Sequence, residues 1–189
     1  MDAQELRFRI DQDIELRPFV ESDAKAVLTA VCENRDHLKP FMQWMVDDYS
    51  IDHAREFIAR SIASAKAMES LGFGIFRAGK FIGSIGFVNF DWKVQSTEIG
   101  YWIASSEEGK GIITKASGML INHAIREWGI NRIEIRCSTL NARSAAVPER
   151  LGFSREGLLR QSEFRNGKLH DFYIYGLLAA EWKGLARKT

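Results

Sequence analysis

Glu108-Gly109-Lys110-Gly111-Ile112-Ile113-Thr114-Lys115-Ala116 constrains this chain more than any other stretch. It follows a strand-like run, Glu98-Ile99-Gly100-Tyr101-Trp102-Ile103-Ala104, and opens an amphipathic helix. That helix carries Ile112, Ala116, Leu120, Ala124 and Trp128 at helical spacing and stops at Gly129. Two glycines at a strand-to-helix turn let the backbone approach a ligand closely. The first N–H groups of a helix have no intrahelical partner, and the helix dipole favours negative charge there. The turn therefore suits phosphate. Two common phosphate loops are excluded by single residues. A P-loop needs Ser or Thr after Gly-Lys, and Gly111 follows Lys110. The dinucleotide fingerprint needs a third glycine where Thr114 stands.

The flanking pattern gives the fold class. Asp13–Arg17 alternates up to Pro18 and reads as a first strand. Ser22 is placed to cap a helix with Ala26, Val27, Ala30 and Val31 on one face. A short helical piece is expected over Asp36–Met45, its aromatic residues belonging more readily to a core than to a binding surface. A third helix, capped by Asp52, carries Ala54, Phe57, Ile58, Ile62 and Ala65. Strands follow over Leu71–Arg77, Lys80–Phe90 and Thr97–Ala104, the first two joined at Ala78-Gly79. After the glycine turn and its helix, Arg132–Cys137 alternates as a strand, so this unit is a right-handed crossover between parallel strands. A helix from Asn141 to before Gly152 contains Pro148, which predicts a kink or a late start. Ser154–Phe164 and His170–Leu178 read as a hairpin around Asn166-Gly167. Helices interspersed with a largely antiparallel sheet and one crossover make an α+β pattern.

At 189 residues the chain is expected to be one domain, residues 1–189, with a sizeable core. A net charge of +1 gives no general pull toward nucleic acid or an anionic membrane. No stretch approaches a membrane span, and the charged start is no signal peptide. Cys32 and Cys137 read as buried free thiols rather than a disulfide or a metal site. A soluble cytoplasmic protein without a metal is the expectation.

Five ordered motifs resemble the GCN5-related N-acetyltransferase (GNAT) family, and within it the RimJ/RimL group of ribosomal-protein N-terminal acetyltransferases. They are Ile14-Glu15-Leu16-Arg17-Pro18; Glu98 to Ile103 with Gly109 to Thr114; Asn141-Ala142-Arg143-Ser144; Leu151-Gly152-Phe153; and Gln161 to Gly167 with His170-Asp171 and Tyr175. Glu108 and Ile113 depart from the family's usual loop, which has Gln or Arg and then Gly or Ala at those positions. The resemblance implies a GNAT fold: about seven strands in a mixed, largely antiparallel sheet flanked by helices, with a parallel pair splayed at the cofactor loop. It implies acetyl-CoA as cofactor. Trp102, Ile103 and Ala104 would bond the pantetheine arm through their backbone. Gly109, Lys110, Gly111, Ile112, Ile113 and Thr114 would hold the pyrophosphate, and Asn141 would bond the cofactor arm. Pro148 occupies the position of the tyrosine proton donor found in many relatives; the resemblance to the RimL-like group implies Ser144 instead, which would help protonate the leaving thiolate. Glu163 matches the proposed general base. Arg35, Trp44 and His170 would shape the acceptor pocket, and a homodimer is an expectation because relatives of the group are often dimers.

The residues themselves leave alternatives open. Glu98, just before the loop, rivals Glu163 as base, while either carboxylate suits an ordinary strand charge. Ser144 suits a helix-start hydroxyl bonded to backbone, and Asn141 suits an N-cap. An α-amine titrates at about 7.7–8.0 and a lysine at about 10.4, so deprotonating the lysine costs roughly 3.5 kcal/mol more. That difference fits a protein N-terminus as acceptor. A small amine such as a polyamine, amino acid or aminoglycoside is the alternative acceptor. A coenzyme A-binding module without turnover is the alternative class.

Overall fold

The computed structural model describes residues 5–185. Eight strands form one sheet: β1 Phe8–Arg9, β2 Ile14–Pro18, β3 Leu71–Arg77, β4 Lys80–Asp91, β5 Ser96–Ile103, β6 Arg132–Ser138, β7 Ser154–Arg165 and β8 Lys168–Leu178. Their spatial order is β1-β2-β3-β4-β5-β6-β8-β7. Every pair is antiparallel except β5 with β6. The expected strands are all present, and the two-residue β1 raises the count from about seven to eight.

Among the described residues five α-helices cover the sheet: α1 Ala24–Glu33, α2 Arg35–Leu38, α3 Ile51–Lys66, α4 Ile112–Trp128 and α5 Ala142–Arg150. Strand alternation divides the apolar residues into two cores. Ile75 and Ile82 pack with Leu120 and Ile121 of α4, whereas Phe76, Phe81 and Trp102 pack with Val27, Val31 and Ile58 of α1 and α3. Each such fully buried aliphatic side chain contributes about 1.5–3 kcal/mol relative to exposure.

Three expectations about helix ends are corrected. Ser22 caps nothing; a 3₁₀ turn over Glu21–Asp23 precedes α1, and Ala24 rather than the exposed Ala26 completes its buried face. Asp23 governs that turn: its carboxylate accepts from the Val20 amide at 2.9 Å and from both terminal nitrogens of Arg17 at 2.7 and 2.8 Å. Ser50, not Asp52, precedes α3, and its amide donates to His53 Nδ1 at 3.1 Å. Of the expected Asp36–Met45 piece only residues 36–38 are helical, within a single turn over Arg35–Leu38. The segment beyond is tied down from outside, because Asn166 Nδ2 donates to the Lys39 carbonyl and Arg165 Nη1 to the Phe41 carbonyl.

Pro148 neither delays nor ends α5, which runs from Ala142 through Arg150. A proline there deprives the carbonyl of Ser144, four residues earlier, of its helical donor. Tyr101 Oη on β5 supplies the replacement at 3.0 Å.

A seam in the sheet and the loop beside it

β5 and β6 pair over only three positions, Ser96 with Arg132, Thr97 with Ile133, and Glu98 with Glu134. Beyond Glu98 they diverge, while β5 stays paired to β4 as far as Ile103. One backbone edge of β5 is therefore left open, facing a cleft lined by Gly100, Tyr101, Cys137, Asn141, Ser144 and Phe172. The Ala104 amide already donates to Ile82 of β4 at 2.8 Å. By antiparallel alternation Trp102 also pairs toward β4, so Tyr101 and Ile103 turn their peptide groups to the cleft. Of the three residues expected to serve a cofactor arm through their backbone, Ile103 has this orientation. The Trp102 side chain is buried against Phe81.

The glycine loop leaves β5 and enters α4 with Gly109 at φ 72° and Gly111 at φ 73°. Left-handed backbone at both points turns successive amides outward, and no atom lies within 4 Å of where a Cβ would sit on either glycine. Among the described residues, none of the six amides from Gly109 to Thr114 has an acceptor. Ile112 and Ile113 send their side chains into the core, so the larger residue at 113 anchors the helix while its amide stays free. The acidic flank is neutralised. Glu107 pairs with Arg77 at 2.9 Å and Lys110 at 3.1 Å, and Glu108 pairs with Arg143 of α5 and His37 of α2. Lys110 is thus a loop charge held by Glu107. A cradle of unpaired amides at a helix N-terminus, its carboxylates paired away, fits a pyrophosphate.

At the cleft, Asn141 Oδ1 caps α5 by accepting from the Ser144 amide at 3.0 Å. Its Nδ2 has no acceptor among the described residues and is free to donate. Ser144 Oγ lies 3.3 Å from Tyr101 Oη, donating to it rather than to backbone. Burial pushes the Tyr101 phenol well above its usual range. Cys137 lines the same cleft, and burial pushes its thiol up to about 11. Cys32, expected to be buried, is exposed on α1. Helical spacing accounts for this, because the neighbouring Val31 takes the core-facing direction.

The two candidate bases have different surroundings. Burial pushes the Glu98 carboxyl up, against the attraction of Arg136, whose Nε lies 3.4 Å away. Arg136 also pairs with Glu134, which pairs with Arg132, so Glu98 ends a chain of ion pairs across β5 and β6. Glu163 sits on β7 opposite His170 on β8, and its Oε1 accepts from Arg165 Nη1 at 2.5 Å. Two extra residues between Leu159 and Glu163 bulge β7 where the Gln161 amide donates to Asp171 Oδ1 at 2.8 Å. His170 Nε2 contacts the Arg165 carbonyl at 3.3 Å. Arg35 is occupied by the Asp47 carbonyl, which ties down the loop after α2. Trp44, 42% exposed, leans on Trp102 and Tyr49.

Sequence reasoning missed Tyr101, Arg165 and Asn34. Buried Asn34 at the end of α1 accepts from the amide and hydroxyl of Ser105 at 2.8 and 3.1 Å, fixing the turn before the glycine loop. Polar side chains at element ends were the available signal. Among the described residues no cluster of three metal-ligating side chains is found, and no helix is long and apolar enough to cross a membrane.

Comparison with known proteins agrees with this geometry. The model of the acetyltransferase (GNAT) domain matches residues 13–154. The YdaF protein of Bacillus subtilis, a provisional ribosomal N-acetyltransferase, is 36% identical over 180 residues, covering 93% of this chain and 97% of that one. The ribosomal-protein-serine acetyltransferase of Escherichia coli is 29% identical over 167 residues, covering 88% and 93%. A solved structure of RimL, the ribosomal L7/L12 α-N-protein acetyltransferase in complex with coenzyme A, superposes with a TM-score of 0.87 at 27% identity, covering 92% and 98%. With the splayed strands and the amide cradle, these matches identify the chain as a member of the GNAT family of acetyl-CoA-dependent N-acetyltransferases, on its RimJ/RimL-like branch.

Proposed function

We propose that this N-acetyltransferase moves the acetyl group of acetyl-CoA directly to the N-terminal α-amine of a protein, a ribosomal protein being the acceptor class. The observation that carries the reading is the cleft where β5 and β6 diverge. Asn141 and Ser144 stand on one side of it, and the β7–β8 hairpin with Glu163 closes on the Lys39–Gln43 segment beside it. The acceptors named for the RimL structure and the Escherichia coli relative support the same class.

In this mechanism the amides from Gly109 to Thr114 hold the pyrophosphate, and the open edge at Ile103 with Asn141 Nδ2 aligns the pantetheine arm. Coenzyme A supplies the activated thioester. Glu163 takes a proton from the acceptor ammonium through a water. The amine nitrogen then bonds to the thioester carbon, the carbon–sulfur bond breaks, and the Ser144 hydroxyl gives its proton to the thiolate while the second proton leaving the nitrogen restores that hydroxyl. An α-amine needs only a modest base at neutral pH, which a carboxylate can supply. Glu98 is the second base candidate, since its raised carboxyl faces β6 near the seam. Arg35 holds the acceptor loop, and Trp44 and His170 border the acceptor. A cytoplasmic homodimer completes the proposal.

Acetyl-CoA turnover, followed as free thiol, tests it. The panel holds a peptide with a free N-terminal serine, the same peptide N-blocked but lysine-bearing, and polyamines. Release with the free N-terminus alone is expected, together with a kcat loss of about 10²-fold in E163Q and little loss in E98Q. Release only with polyamines would overturn the acceptor class, and a dead E98Q beside an active E163Q would reverse the bases.

A further inference from the structure

Arg165 is the most deeply buried cation of the described residues, 4% exposed although it sits one residue before the Asn166-Gly167 turn at a hairpin tip. Its Nη1 makes two contacts, donating to Glu163 Oε1 at 2.5 Å and to the Phe41 carbonyl at 3.1 Å. The side-chain exposures of the ion pair are 2% for Arg165 and 20% for Glu163. Nε and Nη2 are buried without a partner among the described residues. A buried cation needs a counter-charge, and Glu163 is the one it pairs with among the described residues. Glu163 Oε2, in contrast, receives no hydrogen bond from the described residues. One oxygen of this carboxylate is held and the other is free.

We infer that Arg165 is a positioning residue for proton removal, an inference that rests on the reading of Glu163 as base. Nη1 fixes Oε1, which aims Oε2 at the acceptor; Oε2 is the atom that receives the proton from the ammonium through water and later yields it to solvent. The second bond of the same nitrogen joins the base to the Phe41 backbone. Phe41 and Met42 line the cleft, so one guanidinium sets the distance between the base and the acceptor wall. A bare carboxylate on a two-stranded hairpin would sample several rotamers, and catalysis is sensitive to misplacement of about 1 Å.

The test uses the full chain, acetyl-CoA and a peptide with a free N-terminal serine, with R165Q, R165K, E163Q, E163D and the double variant R165Q/E163Q. R165Q is expected to lower kcat about tenfold or more while the KM for acetyl-CoA stays within about twofold. R165K, which keeps one donor near Oε1, recovers part of kcat. In the E163Q background R165Q costs nothing further, because no base remains to be aimed. An equal kcat loss in both backgrounds, or a rise in acetyl-CoA KM with kcat unchanged, would overturn the positioning role. E163D keeps the charge but draws it back by one methylene, and covers the case in which R165Q does not fold. Its kcat should fall as that of R165Q does, and full activity overturns the proposal. If E163Q alone keeps full turnover, the base assignment itself is wrong. If E163Q is inactive while R165Q has wild-type kcat, the base stands and only the role of Arg165 fails.

Discussion

Tyr101 donates its hydroxyl to the carbonyl of Ser144, the group that Pro148 leaves without its helical donor. The proline and the tyrosine thus solve one problem together, from α5 and β5. Because the phenol hydrogen is committed there, Tyr101 Oη is left to accept from Ser144 Oγ.

Tyr101→Phe should therefore destabilise the protein by about 1–3 kcal/mol, the cost of an unsatisfied buried carbonyl. Urea denaturation measures it. Adding Pro148→Ala to that variant restores an N–H at the right place and should recover most of the loss. A double variant no more stable than Tyr101→Phe alone would mean the two residues are not coupled.

Glu98 sets a pH dependence whose sign follows from burial. Its carboxyl is pushed up, so the folded chain holds that proton more tightly than the unfolded chain. The penalty for its charge is then fully present above the raised value, and it disappears as pH falls below the ordinary carboxylate range. Glu98→Gln should melt higher than wild type at neutral pH, and the difference should shrink in acid. Calorimetry from pH 7 down to about 4 compares the two. A variant that melts lower at neutral pH would show that the Arg136 pair outweighs burial.

Gly111→Ala isolates backbone conformation from packing. Space for a methyl group exists, but the φ of 73° does not suit an L-residue. About 1–2 kcal/mol of stability should be lost, and the KM for acetyl-CoA should rise as the amides turn. Unchanged KM would mean this turn does not bind the cofactor.

The cysteines should differ in labelling. The exposed Cys32 should react with iodoacetamide at neutral pH well before Cys137, whose thiol burial holds near 11. Mass spectrometry of the time course reads both. Faster labelling at Cys137 would show that the cleft opens widely in solution.

Alternation and helical spacing carried much of the fold into the sequence plainly: the strands' places along the chain, the crossover through α4 and the hairpin at Asn166-Gly167 are legible, whereas the insertion of β8 between β6 and β7 is not. Helix ends were not. Ser50 and Asp52 are equally good caps on paper, and only the reciprocal contact of Ser50 with His53 separates them. Pro148 misled because its remedy lies 47 residues away on another element. The glycine cradle was visible because its conformational demand is local. Arg165 was invisible because its importance comes from Phe41 and Glu163, which only the folded chain brings to it.

The three residue pairs joining β5 to β6 also make the sheet two plates sharing a short hinge line. A thioester arm bonded along the open edge of β5 would fill the missing rungs as a ninth strand would, stitching the plates where the chain itself does not. Bound coenzyme A is then part of the scaffold as well as the reagent. Amide exchange at Ile103 and along the far end of β6 would report whether the stitch is in place.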